Sequence, residues 1–142
     1  MAKLIYFNIE EDIVKFKAEE LPVGAILEFY DYTNNIKTEN LNFDLGIPPN
    51  IKNHTDENVW VSYSNALRTL RTEIGILNII YEIPEKDLLH LIPCSAKMTV
   101  EVEMPTKQLM MLLYSTDDED ISALLWERAR KDILNLEENN EI

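Results

Sequence analysis

The sequence predicts an α+β domain: a small antiparallel or mixed sheet packed against a long central helix and C-terminal helices. Three observations predict it. Stretches near the N-terminus and at Met98–Glu103 alternate apolar with polar residues, the period of a half-buried strand. The segment Trp60–Tyr81 carries an unbroken apolar stripe at alternating spacings of three and four residues, the period of a helix with one buried side. A capping sequence at Thr116 then opens a last amphipathic segment.

Lys3–Ile9 and Ile13–Lys17 read as strands, rich in β-branched and aromatic residues, with Val14, Phe16 and Ala18 alternating with Lys15, Lys17 and Glu19. Pro22 suits the first position of a short helix, Val23–Tyr32, because its missing N–H has no intrahelical partner there. Asn34–Asn35 end that helix. Leu41–Leu45 alternates enough for a further strand, and Gly46–Asn50, with two prolines, reads as a turn.

Asp56 is the expected N-cap of the long helix. Its stripe is Trp60, Tyr63, Leu67, Leu70, Ile74, Leu77 and Tyr81, about six turns. Asn65, Arg68, Arg71 and Glu73 lie off the stripe. Such a pattern marks either the core-facing side of a helix or a self-associating one. Gly75 costs roughly 1 kcal/mol relative to Ala in a helix, which predicts a close contact or a kink.

Pro84 opens a short helix, Glu85–Leu91, and Pro93 closes it. Met98, Val100 and Val102 alternate with Thr99, Glu101 and Glu103, a strand with one charged side. Pro105 starts a helix bearing Leu109, Met110, Leu112 and Leu113. Thr116 with Glu119 three residues on predicts a capping box for a helix reaching about Leu136. Residues 1–136 are read as one α+β domain and 137–142 as a polar tail.

The chain has 142 residues and 46% hydrophobic content, enough for one core. No apolar run is long enough to span a membrane, and the N-terminus turns acidic by Glu10 with no secretory h-region. The single cysteine excludes an internal disulfide, so a cytoplasmic setting is expected. With 26 acidic against 13 basic side chains the net charge is −13, which argues against direct nucleic-acid binding and favours a basic protein partner. The acidic clusters Glu10–Asp12, Glu19–Glu20, Asp117–Asp120 and Glu137–Glu138 sit near element boundaries, where solvated helix starts and turns explain them.

Three glycines cannot supply a glycine-rich phosphate loop. His90 and Cys94 are separated by Pro93, so neither a metal pair nor an activated thiol is read there, and Cys94 is expected to be a buried structural residue. The carboxylates at 117–120 lack the spacing of a calcium loop. No catalytic residue is identified from the chemistry of the side chains.

The order of elements and prolines resembles that of the flavin-dependent thymidylate synthases of the ThyX type, from about Ile13 to Lys131. Ile13–Lys17 followed by Pro22 resembles that family's strand and proline-started helix. Lys37–Pro48 resembles the segment that ends in Ile-Pro, and Ile83–Pro93 carries two prolines at the family's separation. Lys107–Leu113 resembles its arginine-led, leucine-rich helix start, and Trp126–Glu127 the Trp-Glu of its last helix. The departures are specific. The family's Arg-His-Arg triplet is replaced by Asp31–Ile36, which has no arginine, and two later arginine positions fall on Lys37 and Lys107. Lysine does not replace the bidentate fork that arginine offers a phosphate.

The resemblance thus implies a catalytically degenerate protein that binds a nucleotide or flavin, or regulates a partner. FAD is the cofactor it implies, with Lys37, Lys107, Tyr30 and Tyr32 as cofactor-binding residues. If it were an enzyme, the reaction would be flavin-dependent dUMP methylation. The family's oligomeric habit adds the expectation of a homo-oligomer through Trp60, Tyr63, Leu67, Leu70, Ile74 and Leu77. An acidic inhibitor of a nucleic-acid-processing protein, seated in a basic groove, is the alternative from another class.

Overall fold

The computed structural model describes residues 1–134. The elements are β1 (Lys3–Glu10), β2 (Ile13–Pro22), α1 (Val23–Phe29), β3 (Asn35–Asp44), α2 (Pro49–Lys52), α3 (Glu57–Ile79), α4 (Glu85–Leu88), β4 (Lys97–Pro105), α5 (Thr106–Ser115) and α6 (Glu119–Ala129). A 3-10 turn, Leu89–Leu91, extends α4, and a wider π-type turn, Arg130–Leu134, follows α6. The strands form one antiparallel sheet in the order β1-β2-β4-β3. The α+β class is the one the sequence predicts, and the order of elements agrees apart from α2, a single helical turn begun by Pro49 where the sequence reads Gly46–Asn50 as a turn.

Strand parity divides the sheet into two chemistries. Phe7, Val14, Phe16, Ala18, Val100, Val102 and Met104 face inward and are buried. Phe16 stacks on Phe7 and meets the ring of Phe29 edge-on. Ile26 of α1, Leu88 of α4, Leu109 and Leu112 of α5 and Ile121 and Leu125 of α6 complete this core. The other side is a polar ladder in which Lys15 pairs with Glu103, and Glu101 has Lys17 and Lys37 as its two cross-strand neighbours.

Two irregularities flank Met98–Val100. Between Ala18 and Leu21, β2 has one residue more than its partner, and between Thr38 and Phe43, β3 bulges much further. Glu20, Asn40 and Leu41 sit there at positive φ.

The long helix touches the sheet body through its C-terminal half. Ile74 is buried, and Leu70 and Leu77 pack against the core. Tyr63 and Leu67 are half-buried, Trp60 is 46% exposed, and Tyr81, beyond the helix end, is 66% exposed. Asp56 is the N-cap, its carboxylate accepting from the Asn58 N–H.

Several local expectations are corrected. α1 ends at Phe29, and the strand expected at Leu41–Leu45 begins at Asn35. A Cβ added at Gly75 would meet nothing within 4 Å, so no close contact requires that glycine. The final helix is capped by Asp118, which accepts from the Asp120 and Ile121 N–H groups. Thr116 instead ends α5 and accepts from the Asp118 N–H, because the shorter carboxylate reach from Asp118 satisfies two donors at once. Cys94 is exposed, lying outside the core on the turn after Pro93. Leu136, the pair Glu137–Glu138 and the tail at 137–142 lie outside the described residues.

Candidate functional site

Pro105 ends β4 and serves as the N-cap of α5, so strand and helix join without a loop. The first helical N–H, of Thr106, donates to the Asp12 carbonyl at 2.8 Å, anchoring the helix start to the β1–β2 turn. Leu109, Leu112 and Leu113 enter the core. The helical period therefore leaves Lys107, Met110, Met111 and Tyr114 on the other side. The turn after α1 brings Tyr32 beside this surface, where its hydroxyl lies 2.7 Å from Ser115 Oγ.

Together Tyr32, Thr106, Lys107, Met110, Tyr114 and Ser115 line a cleft of about 710 Å³. Tyr114 meets Trp126 edge-on with ring centroids 5.1 Å apart, and the Arg130 guanidinium lies 5.6 Å over the indole. Lys107 is the one cation that lines the cleft. The arrangement offers aromatic faces, two adaptable methionines and one positive charge, which suits a planar anionic molecule.

Two of the four predicted cofactor residues, Tyr32 and Lys107, meet here. The other two do not line this cleft. Lys37 follows the inward-facing Ile36 on β3 and so points to the outer side of the sheet. There it lines a smaller depression of about 220 Å³ with Lys15, Asn35, Glu101 and Glu103. Tyr30 lies under the Lys86 ammonium at 5.8 Å. Burial, with Glu85 adding its negative charge, pushes the Tyr30 hydroxyl up to about 12.

On the outer face, Tyr6 donates a short hydrogen bond to Glu101, which also pairs with Lys15 at 3.2 Å. The hydrogen bond from Tyr6, then that from Lys15, holds the Glu101 carboxyl below its ordinary range. Desolvation first, and Glu101 second, raise Tyr6 to about 12. The network is an ion-paired sheet surface.

The four arginines of the chain have four separate engagements. Arg68 bonds Asn65 on its own helix, Arg71 binds the backbone of β3, Arg128 binds Asp132 and the backbone of β1, and Arg130 covers Trp126. No two of them line one cleft with Lys107 or Lys37. Among the described residues there is no group of three or more His, Cys, Asp or Glu able to hold a metal ion.

Sequence reasoning missed Met110, Tyr114 and Ser115 as cleft residues. Their signal was present: counted from Lys107, they fall on the side of α5 opposite its leucines. It also missed a second cleft, of about 420 Å³, where the β3 bulge meets α3 at Asn40, Asn42, Phe43, Arg71 and Gly75. That cleft had no local signal.

No protein-family model and no curated protein matches the sequence. Among solved structures, the chain is similar to thymidylate synthase X (ThyX) from Helicobacter pylori, determined with FAD and dUMP. The two are 17% identical with a TM-score of 0.39, over 82% of this chain and 64% of that one. This chain thus spans under two thirds of that protein's length. No helix among the described residues is long and apolar enough to cross a membrane.

Proposed function

We propose that this chain is a catalytically degenerate, thymidylate-synthase-like protein that binds a nucleotide or flavin in the Tyr32–Lys107 cleft without turning it over. The observation that carries this reading is the meeting of Tyr32, Tyr114 and Lys107 around about 710 Å³, a volume typical of small-ligand sites. A heterocycle stacks on an aromatic face while a phosphate takes the Lys107 ammonium. One lysine is a point charge without a bidentate fork, so binding is expected to be weak. The absence of arginine from Asp31–Ile36, and the engagement of all four arginines elsewhere, supports loss of the reaction. Lys37 faces Glu101 on the other side of the sheet and is left out of this reading.

The test is thermal unfolding of the chain with dUMP or FAD at millimolar concentration. A rise of a few degrees is expected, abolished by Lys107→Ala and retained in Lys37→Ala. No rise with either ligand would overturn the binding claim. Formation of dTMP from dUMP, methylene-tetrahydrofolate, reductant and FAD would overturn the degenerate assignment.

A second reading, an acidic inhibitor or interaction protein for a basic groove, is favoured by the β1–β2 turn. Glu11 and Asp12 occupy both of its left-handed positions (φ 50° and 64°) although Asn-Gly would fit them with less strain. A solvated turn accommodates the charge and Asp tolerates its left-handed position, but Glu11 is a poor fit to the other one. On this reading, capture of a basic nucleic-acid-processing protein weakens steeply with salt. Capture that is indifferent to salt would count against it.

A further inference from the structure

We infer that the cleft between the β3 bulge and α3 is a second binding site, separate from the Tyr32–Lys107 cleft, and that it takes a small neutral saccharide. Three costly features of the fold meet there. Four residues of β3, Glu39–Asn42, stand opposite the single Thr99 of β4, so the ladder is interrupted in mid-strand. Leu41 holds a left-handed φ of 55°, unfavourable for leucine, whereas Asn40 beside it tolerates its 54°. Gly75 stands inside α3, where glycine is a poor helix former. All three line one cavity of about 420 Å³, and nothing lies within 4 Å of where a Gly75 Cβ would stand. Strained backbone and a bare Cα are features that cluster where a chain is shaped around a ligand.

The cleft is braced from two helices. Glu85 of α4 accepts from both the N–H and the hydroxyl of Thr38, and that hydroxyl oxygen accepts from the Leu41 N–H at 3.2 Å. At the other end of the bulge, Arg71 of α3 donates to the Phe43 carbonyl. A wall fixed in this way is formed before any ligand arrives, which lowers the cost of binding.

Charge selects the class of ligand. The cleft has one carboxylate, Glu39, and one guanidinium, Arg71. Glu39 is paired with Lys17 at 3.6 Å, and Arg71 is spread over the Phe43 ring. Neither sign is left over for a charged ligand, and the chain's net charge of −13 further disfavours anions. What remains is polar and uncharged. Asn40 and Asn42 are exposed on the rim, and each amide both donates and accepts, as each hydroxyl of a sugar does. Leu41 and Ile74 give the cleft apolar lining for the C–H faces of a ring. A second depression, lined by Thr99 and Lys97, shares Asn42 and Arg71 with this one and offers room for a further ring.

The experiment is an NMR titration of the full chain with glucose and with maltose at high millimolar concentration. Saturable shifts are expected at the Asn40 and Asn42 side-chain amides and at the Gly75 N–H with at least one of the two sugars. Asn42→Ala is expected to weaken binding about tenfold, the worth of one hydrogen bond. Gly75→Ala is expected to weaken it while leaving the fold at least as stable. Lys107→Ala is expected to leave the shifts unchanged, and acetate or inorganic phosphate to move none of these signals. No saturable shift with either sugar overturns the proposal. So do shifts that Asn42→Ala and Gly75→Ala both leave unaltered, shifts that Lys107→Ala abolishes, or an equal response to acetate or phosphate. If Asn42→Ala fails to fold, Gly75→Ala alone decides.

Discussion

The guanidinium of Arg71 lies 5.1 Å over the ring of Phe43 and donates to the Phe43 carbonyl at 3.1 Å. The opposite edge of the sheet repeats the device: Arg128 lies 5.6 Å over Phe7 and donates to its carbonyl at 3.4 Å. Each edge strand thus has a backbone acceptor closed by an arginine from a helix, and Glu85 accepts from the Thr38 N–H further along β3. Blunted edges resist pairing with other chains. The same fact bears on chemistry, because an arginine held this way is not available to a phosphate.

Arg71→Ala removes the stacking and the hydrogen bond together. The expected loss is about 1–2 kcal/mol, the sum of an exposed cation–π contact and a charged hydrogen bond discounted for solvent. Arg71→Lys should recover less than half of it, since an ammonium cannot cover the ring and reach the carbonyl in one plane. Urea unfolding midpoints measure this, and an Arg71→Ala midpoint equal to the native one would show that the contact is ornamental.

The prolines made much of the fold legible. Pro22, Pro84 and Pro105 each stand as the N-cap of a helix, so the boundaries they mark were readable from local chemistry. So was β4, whose alternation survives intact in its burial. The bulge between Thr38 and Phe43 was not readable, because register is set by pairing with β4, far away in sequence. The separation of Lys37 from Lys107 was half readable: Ile36 facing inward sends Lys37 outward, but nothing local says that α5 covers the other side. The stripe on α3 was legible as a pattern, while its exposure depends on where the sheet body ends.

The β1–β2 turn carries removable strain. Glu10 pairs with Ile13, so Glu11 and Asp12 form a two-residue turn with both residues left-handed. Such a conformation costs an ordinary L-residue such as Glu11 about 1–2 kcal/mol, Asp12 less, and Gly least. The double change Glu11→Asn with Asp12→Gly should therefore stabilise the chain and raise Tm by several degrees. Calorimetry measures it, and an unchanged or lowered Tm would mean that the acidic pair makes compensating contacts.

Gly75 stands inside α3 with open space where a Cβ would be. Replacing it with Ala removes an entropic cost of roughly 1 kcal/mol and meets no neighbour. Gly75→Ala should raise the unfolding midpoint by that amount in dilute solution. A loss of stability would reveal a close approach to the helix from outside the chain.

The Tyr6–Glu101 pair gives a pH signature at both ends. Glu101 titrates below its ordinary value because Tyr6 and then Lys15 bond its charged form. Its contribution is present above the unfolded value of 4.5 and is lost as pH falls through the lower folded one. Tyr6, raised to about 12, contributes below the unfolded value of 10.0 and loses that contribution as pH climbs toward 12. Tyr6→Phe should return Glu101 toward its ordinary titration and flatten the acid limb, leaving Lys15 as its main partner. Carboxyl-detected NMR titration follows Glu101 directly, and ultraviolet absorbance follows tyrosinate formation in the native chain. If Glu101 titrates at the same pH with and without the Tyr6 hydroxyl, the hydrogen bond does not govern that carboxylate.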